Sequence, residues 1–393
     1  MIDKQKIQLC AQNIVKCVNL KKKGASVLIK GGFYSQELLE EIALEVFRNN
    51  GRPIITSTTD YYTESIYDDK DISIDIIATT PHHYFKLMEN IDAYIVIEPY
   101  ENPGILNKVP REKLKANGKS LAPIRDVLYG GKKEYEPGKK WCYAAWPSEK
   151  AASFYGIDYE LFEKFVIGGI SIPLEEMTQI TKELGDKFNN VRKVHVTDDL
   201  GTDFWISVEG RPKILDNGLI TDERIAVGEL GANLPAGEIF FPPNETMGEG
   251  KLICPLTKDR YSNKIIKNIE LNFENGKLDM DKISSDNDVE VIIESFKQCE
   301  EIDRKNEVPE LRTYNVAELG IGCNPEITKA IGYILTDEKI TGSIHLAFGG
   351  NAMMQGNSRS QMHWDFVSTP KANVIVELMD GSKKSVMENG RLI

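Results

Sequence analysis

Four candidate metal ligands, Glu318, His345, His363 and Asp365, lie in one stretch of the 393-residue sequence. Two of the chain's five histidines, His345 and His363, lie in this stretch, and Asp365 follows His363 at a spacing of two. Imidazole binds zinc, iron, cobalt and manganese, and carboxylates suit the harder members of that set. The stretch therefore predicts a site for one divalent cation or for two neighbouring ones.

Alternation of apolar and polar residues indicates that these ligands lie on strands. In residues 362–366 the period of two places His363 and Asp365 on one face and apolar side chains on the other, and residues 344–348 present His345 in the same way. A lone strand histidine is more often a hydrogen-bonded core residue than a ligand. A second strand of the same kind, together with Glu318 before a Gly-rich turn, favours a metal site.

Several residues outside this stretch are further candidates. The proline and glycine of Asn233–Phe240 predict a turn that places Glu238 at the start of an apolar strand. We interpret Glu229 and Glu245 as surface charges, with a supporting role behind the metal ligands as the alternative. We interpret His195 as structural, because no residue of ligand type lies near it in sequence.

Strands and helices alternate in the first part of the chain and give way to strands in the second. Predicted strands at residues 26–30, 53–56, 92–97 and 141–146 are separated by amphipathic helices, and residues 149–190 are helical. From residue 191 onward, strands are joined by Gly- and Asp-rich turns, and residues 374–393 predict a hairpin or meander. We therefore predict an α/β N-terminal domain of residues 1–190 and a β-rich α+β C-terminal domain of residues 191–393 that binds the metal.

Composition limits the partners and the location of the protein. A hydrophobic content of 41% and a charged content of 27% are typical of a soluble globular protein, and the formal charge of −12 argues against nucleic acid or an anionic membrane as the main partner. Six scattered cysteines without a CxxC pair indicate reduced thiols. The N-terminus has no signal-peptide core, and no apolar run approaches the ~18 residues of a membrane span. We therefore expect a cytoplasmic protein.

Four motifs, in this order and spacing, resemble those of the aminopeptidase T and aminopeptidase S family of metallo-aminopeptidases. They are NLPAGE at 233–238, AELGIGCNP at 317–325, GSIHLAFG at 342–349 and HWDF at 363–366. The resemblance covers nearly the whole chain. It implies two divalent ions per chain (zinc, cobalt or manganese), a peptide substrate that loses its N-terminal residue, and a cytoplasmic homodimer. The metal ligands that it implies are Glu238, Glu318, His345, His363 and Asp365.

The resemblance also implies a mechanism with these ligands. Two ions bridged by a carboxylate would hold a water and lower its pKa towards about 7, and one ion would polarise the substrate carbonyl. Either Glu238 or Glu318 would accept a proton, which makes these two the candidate catalytic residues.

One departure from the family pattern leaves a second function open. The peptidases carry a tyrosine seven residues after the first motif histidine, where this chain has Ala352 in the short segment Gly349–Asn357. Both traits resemble a divergent branch that includes a ring-cleaving 2,5-dihydroxypyridine dioxygenase, which uses a Glu, a His and an Asp around one iron(II). A third hypothesis is a binding protein with a structural metal site. We favour the peptidase, because one lost donor costs about 2 to 4 kcal/mol of transition-state stabilisation, whereas five ligand types set the number of ions.

Overall fold

The computed structural model describes residues 2–259 and 262–393. Its α-helices are α1 (Lys4–Cys17), α2 (Gln36–Arg48), α3 (Asp60–Asp68), α4 (Ile74–Ile77), α5 (His82–Asn90), α6 (Arg111–Tyr129), α7 (Glu149–Tyr155), α8 (Tyr159–Ser171), α9 (Leu174–Lys187), α10 (Asp222–Ala226), α11 (Val289–Lys305) and α12 (Ile334–Asp337). Its first nine strands are β1 (Ser26–Gly32), β2 (Arg52–Thr58), β3 (Ala93–Ile97), β4 (Lys140–Ala144), β5 (Val191–Thr197), β6 (Asp203–Ser207), β7 (Ile214–Asp216), β8 (Gly231–Leu234) and β9 (Glu238–Phe241). The remaining strands are β10 (Gly248–Lys258), β11 (Ile265–Glu274), β12 (Lys277–Leu278), β13 (Val316–Gly322), β14 (Ile344–Gly349), β15 (His363–Val367), β16 (Asn373–Leu378), β17 (Lys383–Glu388) and β18 (Arg391–Leu392).

The chain forms two compact units, each built from two segments. The first unit consists of Met1–Glu175 and Gly218–Pro235, and the second consists of Glu176–Asn217 and Ala236–Ile393. The segment Gly218–Pro235 supplies strand β8 to the sheet of the first unit. The division into folding domains at residues 190 and 191 stays a prediction, and the return of the chain through β8 adds a feature that no sequence signal indicated.

The first unit contains a five-stranded parallel sheet with the strand order β2-β1-β3-β4-β8. Strand β1 is apolar on both faces because it is covered on both, and Val27, Leu28 and Ile29 are fully buried. Helices α7 and α8 begin at the side-chain caps of Ser148 and Asp158, which accept hydrogen bonds from the free backbone N–H groups of each first turn. The predicted α/β character of the N-terminal part is confirmed.

The second unit contains two sheets that share one hydrophobic core. The larger sheet has the strand order β12-β11-β10-β6-β5-β16-β17-β18, and the smaller has the order β15-β14-β13-β9-β7. Both sheets are antiparallel. Side chains such as Phe204 and Leu252 from the larger sheet join Leu319, Leu346 and Phe366 from the smaller one in this core. The predicted β-rich C-terminal part is therefore confirmed.

The smaller sheet presents two chemically different faces. Its core face carries alternate residues of four strands, among them Ile239, Leu319, Leu346 and Phe366, all of them buried. Strand geometry directs the intervening residues to the opposite face. The alternation predicted around His345 and around His363 is confirmed by strands β14 and β15. Over residues 2–259 and 262–393, no helix has the length and apolar character needed to cross a membrane.

Candidate metal centre

The five predicted ligands project from the face of the smaller sheet that lies opposite the core. Glu238 opens β9, Glu318 lies in β13, His345 in β14, and His363 with Asp365 in β15. Cross-strand pairing sets Glu238 opposite Gly322, His345 opposite Gly320, and Asp365 opposite Ala347. Neighbouring strands are about 4.8 Å apart, so side chains on one face at these positions meet. The structure therefore brings all five predicted residues together.

The ligand atoms form two groups that share Glu318. Glu238, Glu318 and His345 make one group, Glu318, His363 and Asp365 make the other, and the ligand atoms of each group lie within 4.8 Å of one another. Glu318 Oε1 lies 3.4 Å from His345 Nε2, and Glu318 Oε2 lies 3.4 Å from His363 Nε2. Glu318 therefore turns one oxygen towards each histidine.

The outer carboxylates complete each group from the far side. Glu238 Oε2 lies 3.3 Å from His345 Nε2, and Asp365 Oδ2 lies 3.4 Å from His363 Nε2. Among the atoms of residues 2–259 and 262–393, the buried oxygens Glu238 Oε2 and Asp365 Oδ1 have no hydrogen-bond partner. A buried carboxylate oxygen without a partner is destabilising. Three carboxylates and two imidazoles are a donor set that suits divalent cations such as zinc or manganese, so the residues present fit a metal.

Gly320 makes the close approach of His345 possible. The imidazole of His345 lies across the strand pair β13–β14 over residue 320, and a Cβ atom there would be 1.9 Å from His345 Nε2. No other residue type leaves this space, so the central glycine of the ELGIG motif is a requirement of the site. The ring is fully buried.

A backbone carbonyl fixes the orientation of His363. Its Nδ1 lies 2.7 Å from the carbonyl oxygen of Gly350. Because a carbonyl oxygen only accepts, Nδ1 must carry the proton and donate. In the neutral ring, the lone pair is then on Nε2, which faces Glu318 and Asp365. Hydrogen bonds of this kind set the tautomer and the direction of ligating histidines.

The electrostatic environment shifts the pKa values of Glu318 and His345 in opposite directions. Burial by itself raises the pKa of Glu318, but hydrogen bonds and charge from His345 and His363 outweigh it and hold that pKa well below its usual range. Burial lowers the pKa of His345, but Glu318 and Glu238 outweigh this effect and raise it to about 9. Glu318 and His345 therefore hold each other in charged form.

Sequence reasoning missed a buried lysine beside the site. Lys339 follows helix α12, and its side chain is 3% exposed. Its Nζ lies 2.5 Å from Glu238 Oε1, 3.2 Å from Glu338 Oε2 and 3.6 Å from Asp216 Oδ2. Asp216 pairs with Glu238 across β7 and β9. Asp337 and Glu338 directly before Lys339 were a weak signal, and only the fold places this lysine beside Glu238 and Asp216.

The interpretation of Glu245 as a surface charge was wrong. Its side chain is 2% exposed and forms ion pairs with Arg211 and Arg312. Glu229, by contrast, is partly exposed and pairs with Arg224 at 3.1 Å. Glu245 follows β9 in a loop, a context in which sequence reasoning expects solvent, and its two arginine partners are distant in sequence.

His195 and Ala352 lie outside both ligand groups. His195 Nε2 is 2.7 Å from Asp203 Oδ1 across strands β5 and β6 of the larger sheet. Ala352, where the family pattern has tyrosine, is exposed at the start of a 3-10 turn, and its backbone N–H donates to the Ser358 carbonyl at 2.9 Å. The methyl group of Ala352 can neither ligate a cation nor donate a hydrogen bond.

Buried carboxylates and buried or partly buried histidines that suit a divalent cation, on one face of an antiparallel sheet, indicate a metal-binding protein. The sequence matches the thermophilic metalloprotease family M29 over residues 3–392, and the chain belongs to that family. It is therefore a metallopeptidase. A search of curated proteins finds no match.

Two solved structures are similar in fold. Wild-type AmpT from Thermus thermophilus superposes with a TM-score of 0.72 at 17% identity, covering 99% of this chain and 99% of AmpT. The 2,5-dihydroxypyridine dioxygenase from Pseudomonas putida KT2440 gives a TM-score of 0.59 at 14% identity, covering 100% of this chain and 98% of the dioxygenase. Both likenesses concern the fold, and that of AmpT is the stronger.

Proposed function

We propose that this metallopeptidase is an aminopeptidase that holds two divalent ions and removes N-terminal residues from peptides. The observation that carries the proposal is the position of Glu318, whose two carboxylate oxygens face two different histidines. A single ion needs only one of these oxygens. Two ions use both, one with Glu238 and His345 and the other with His363 and Asp365.

Charge balance supports the same number of ions. Five carboxylates, those of Asp216, Glu238, Glu318, Glu338 and Asp365, surround the site with one ammonium, that of Lys339. Two divalent ions neutralise this set, whereas one leaves two uncompensated negative charges in a buried place. Zinc, cobalt and manganese all accept such mixed nitrogen and oxygen ligands.

The bound ions supply Lewis acidity, which polarises a carbonyl oxygen and lowers the pKa of a coordinated water. The protein supplies orientation and proton transfer. Lys339 holds Glu238 Oε1, so that Oε2 is turned towards His345. We assign the role of proton acceptor to one of the two carboxylates Glu238 and Glu318, each of which lies against a histidine of the site.

The test measures metal content and cleavage together. Metal-free protein is titrated with zinc, cobalt or manganese, the bound ions are counted, and each form is assayed with leucine p-nitroanilide and with its N-acetylated analogue. We expect two ions per chain and cleavage of the substrate with a free amine only. Equal cleavage of the acetylated analogue would contradict an aminopeptidase, and no cleavage across several side chains with any metal would overturn the proposal.

A second candidate function follows from Ala352 and from the fold likeness to the dioxygenase. A mononuclear iron(II) centre at one ligand group would act on a dihydroxylated aromatic. One iron per chain and oxygen uptake with 2,5-dihydroxypyridine would favour it over the peptidase. Metal-dependent stabilisation without either reaction would instead favour a structural site.

The proposal includes assembly and location. We propose a homodimer in the cytoplasm, with peptides as the substrate. Light scattering of the purified protein and fractionation of the cells that make it measure these two properties.

A further inference from the structure

One segment connects the two histidine strands of the site. Residues 350–361, which we call the connecting segment, follow His345 on β14 and precede His363 on β15. The segment has little regular structure apart from one short 3-10 turn at Ala352–Met354. Two buried carboxylates from other parts of the second unit, Glu245 and Asp303, nevertheless bind it at several points. The position of the segment is therefore set by contacts outside it.

Glu245 binds the first half of the connecting segment. Its Oε1 accepts hydrogen bonds from the side chain of Asn351 at 3.1 Å and from the backbone N–H of Asn357 at 2.7 Å. Its Oε2 accepts from Arg211 at 2.5 Å and from Arg312 at 3.1 Å. The arginines neutralise the buried charge, and the remaining oxygen is left for the segment.

Asp303 binds the second half in the same way. It lies on α11, is fully buried, and accepts hydrogen bonds from the Ser360 hydroxyl and from the Gln361 N–H at 2.8 Å. The Thr313 hydroxyl donates to it from outside the segment at 2.7 Å. Each carboxylate therefore favours one segment conformation, because it accepts hydrogen bonds from two residues of the segment.

The bound segment contacts the metal ligands directly. Asn351, held by Glu245, also donates to the carbonyl of Ala317 at 3.1 Å, next to Glu318. Gly350 donates its N–H to Met362 at 2.6 Å and accepts from His363 Nδ1 at 2.7 Å. The carbonyl that sets the tautomer of His363 therefore belongs to the residue before Asn351, and the strand bearing His363 begins two residues after Gln361.

We propose that Glu245 and Asp303 are positioning residues for the metal group of Glu318, His363 and Asp365. They hold the connecting segment so that the Gly350 carbonyl accepts a hydrogen bond from the Nδ1–H of His363. Nε2 of His363 is then available as a ligand. This inference rests on the proposed metal binding of the site. Loss of such an outer contact typically lowers metal affinity 10- to 100-fold.

The position of the two carboxylates predicts an unequal effect on the two ions. The hydrogen bonds that link these carboxylates to the site reach His363 through Gly350 and the backbone beside Glu318 through Asn351, and within residues 2–259 and 262–393 none of these bonds involves Glu238 or His345. We therefore expect the group of Glu238, Glu318 and His345 to keep its metal affinity when Glu245 or Asp303 is changed. The group of Glu318, His363 and Asp365 should bind its ion more weakly. A general loss of folding would instead weaken both.

Two pairs of matched variants test the proposal on the full chain. Glu245→Gln removes the charge that binds the segment, whereas Glu310→Gln removes an exposed partner of the same Arg312. Ser360→Ala removes a bond to Asp303 from within the segment, whereas Thr313→Ala removes one from outside it. The milder second pair keeps the test valid if Glu245→Gln fails to fold.

The measurements are stepwise cobalt(II) titration by calorimetry and absorption, and ¹⁵N NMR of the His363 tautomer in metal-free protein, at a pH above the pKa of this imidazole, which is raised because Asp365 and Glu318 outweigh the effect of burial. We expect E245Q and S360A to weaken one of two bound ions 10- to 100-fold and to lose the single Nδ1–H tautomer, while E310Q and T313A match the wild type. Unchanged affinities and an unchanged tautomer in E245Q and S360A would overturn the inference. A wild type that binds no metal overturns the proposed function instead, and the tautomer measurement still decides the inference.

Discussion

Lys339 Nζ lies 2.5 Å from Glu238 Oε1 in the interior of the second unit. The ammonium is the buried countercharge of a cluster of carboxylates that also includes Asp216 and Glu338. Removing one partner of a buried ion pair leaves the other charge uncompensated, which costs about 3 to 5 kcal/mol. We therefore expect K339M to lower the free energy of unfolding of the metal-free protein by about that amount.

Denaturant unfolding measures this loss, and Lys371→Met is the matched control. Lys371 pairs with Asp199 at 2.9 Å on the surface, where an ion pair contributes about 0 to 1 kcal/mol. If K339M and K371M unfold at the same denaturant concentration, Lys339 does not stabilise the carboxylate cluster.

Gly320→Ala is expected to abolish the arrangement of His345. The new Cβ would lie 1.9 Å from His345 Nε2 and force the ring away from Glu318. Metal affinity, measured by calorimetry, should fall at least 10-fold. Gly118→Ala, in the middle of α6 with no atom within 4 Å of the new Cβ, should leave metal binding unchanged and stabilise the helix by about 0.5 to 1 kcal/mol. Equal metal affinity in both variants would contradict the role of Gly320.

The two candidate catalytic glutamates are expected to differ in the number of ions they control. Lys339 donates only, so Glu238→Gln must place its amide oxygen at Oε1 and its NH2 group towards His345, where it cannot ligate. We therefore expect E238Q to bind one ion per chain. Glu318→Gln replaces one of two bridging oxygens by a nitrogen and should weaken both. Metal analysis after dialysis gives the stoichiometry, and two tightly bound ions in E318Q would contradict a bridging role.

The contribution of Glu245 to stability is expected to depend on pH. Burial raises the pKa of Glu245, but the Asn357 N–H and the Arg211 charge outweigh it, and the pKa lies below its ordinary value. Folding therefore favours the ionised form, and this stabilisation is complete above the ordinary glutamate pKa of about 4.3 and is lost as pH falls through the native value. At neutral pH, the free energy of unfolding of the wild type should exceed that of E245Q by about 2 kcal/mol.

Urea unfolding from pH 7 down to pH 3 measures this dependence. The difference between wild type and E245Q should shrink below about pH 4.3. E310Q, which changes an exposed residue, should stay close to the wild type throughout. A difference that grows on acidification would show that the native pKa of Glu245 is raised.

The sequence by itself determined the candidate ligands and the strands that carry them. His345, His363 and Asp365 were found because a period of two is a local property of a strand, and a polar residue that interrupts an apolar face is visible in a short window. Glu238 and Glu318 were found from their turn and glycine context and from the family motifs. The α/β character of the first part and the β-rich character of the second were predicted from hydrophobic patterns that are equally local in sequence.

Only the tertiary structure shows which residues support the candidate ligands from outside the two groups, and that each compact unit is built from two segments of the chain. Each of Lys339, Asp216, Glu245 and Asp303 has at least one partner that is distant in sequence, and their side chains are of types that usually face solvent. Whether a charge is buried depends on strand order and on the path of loops, which are long-range properties. The return of Gly218–Pro235 to the first unit is of the same kind, because a four-residue strand has no pattern strong enough to name its partners.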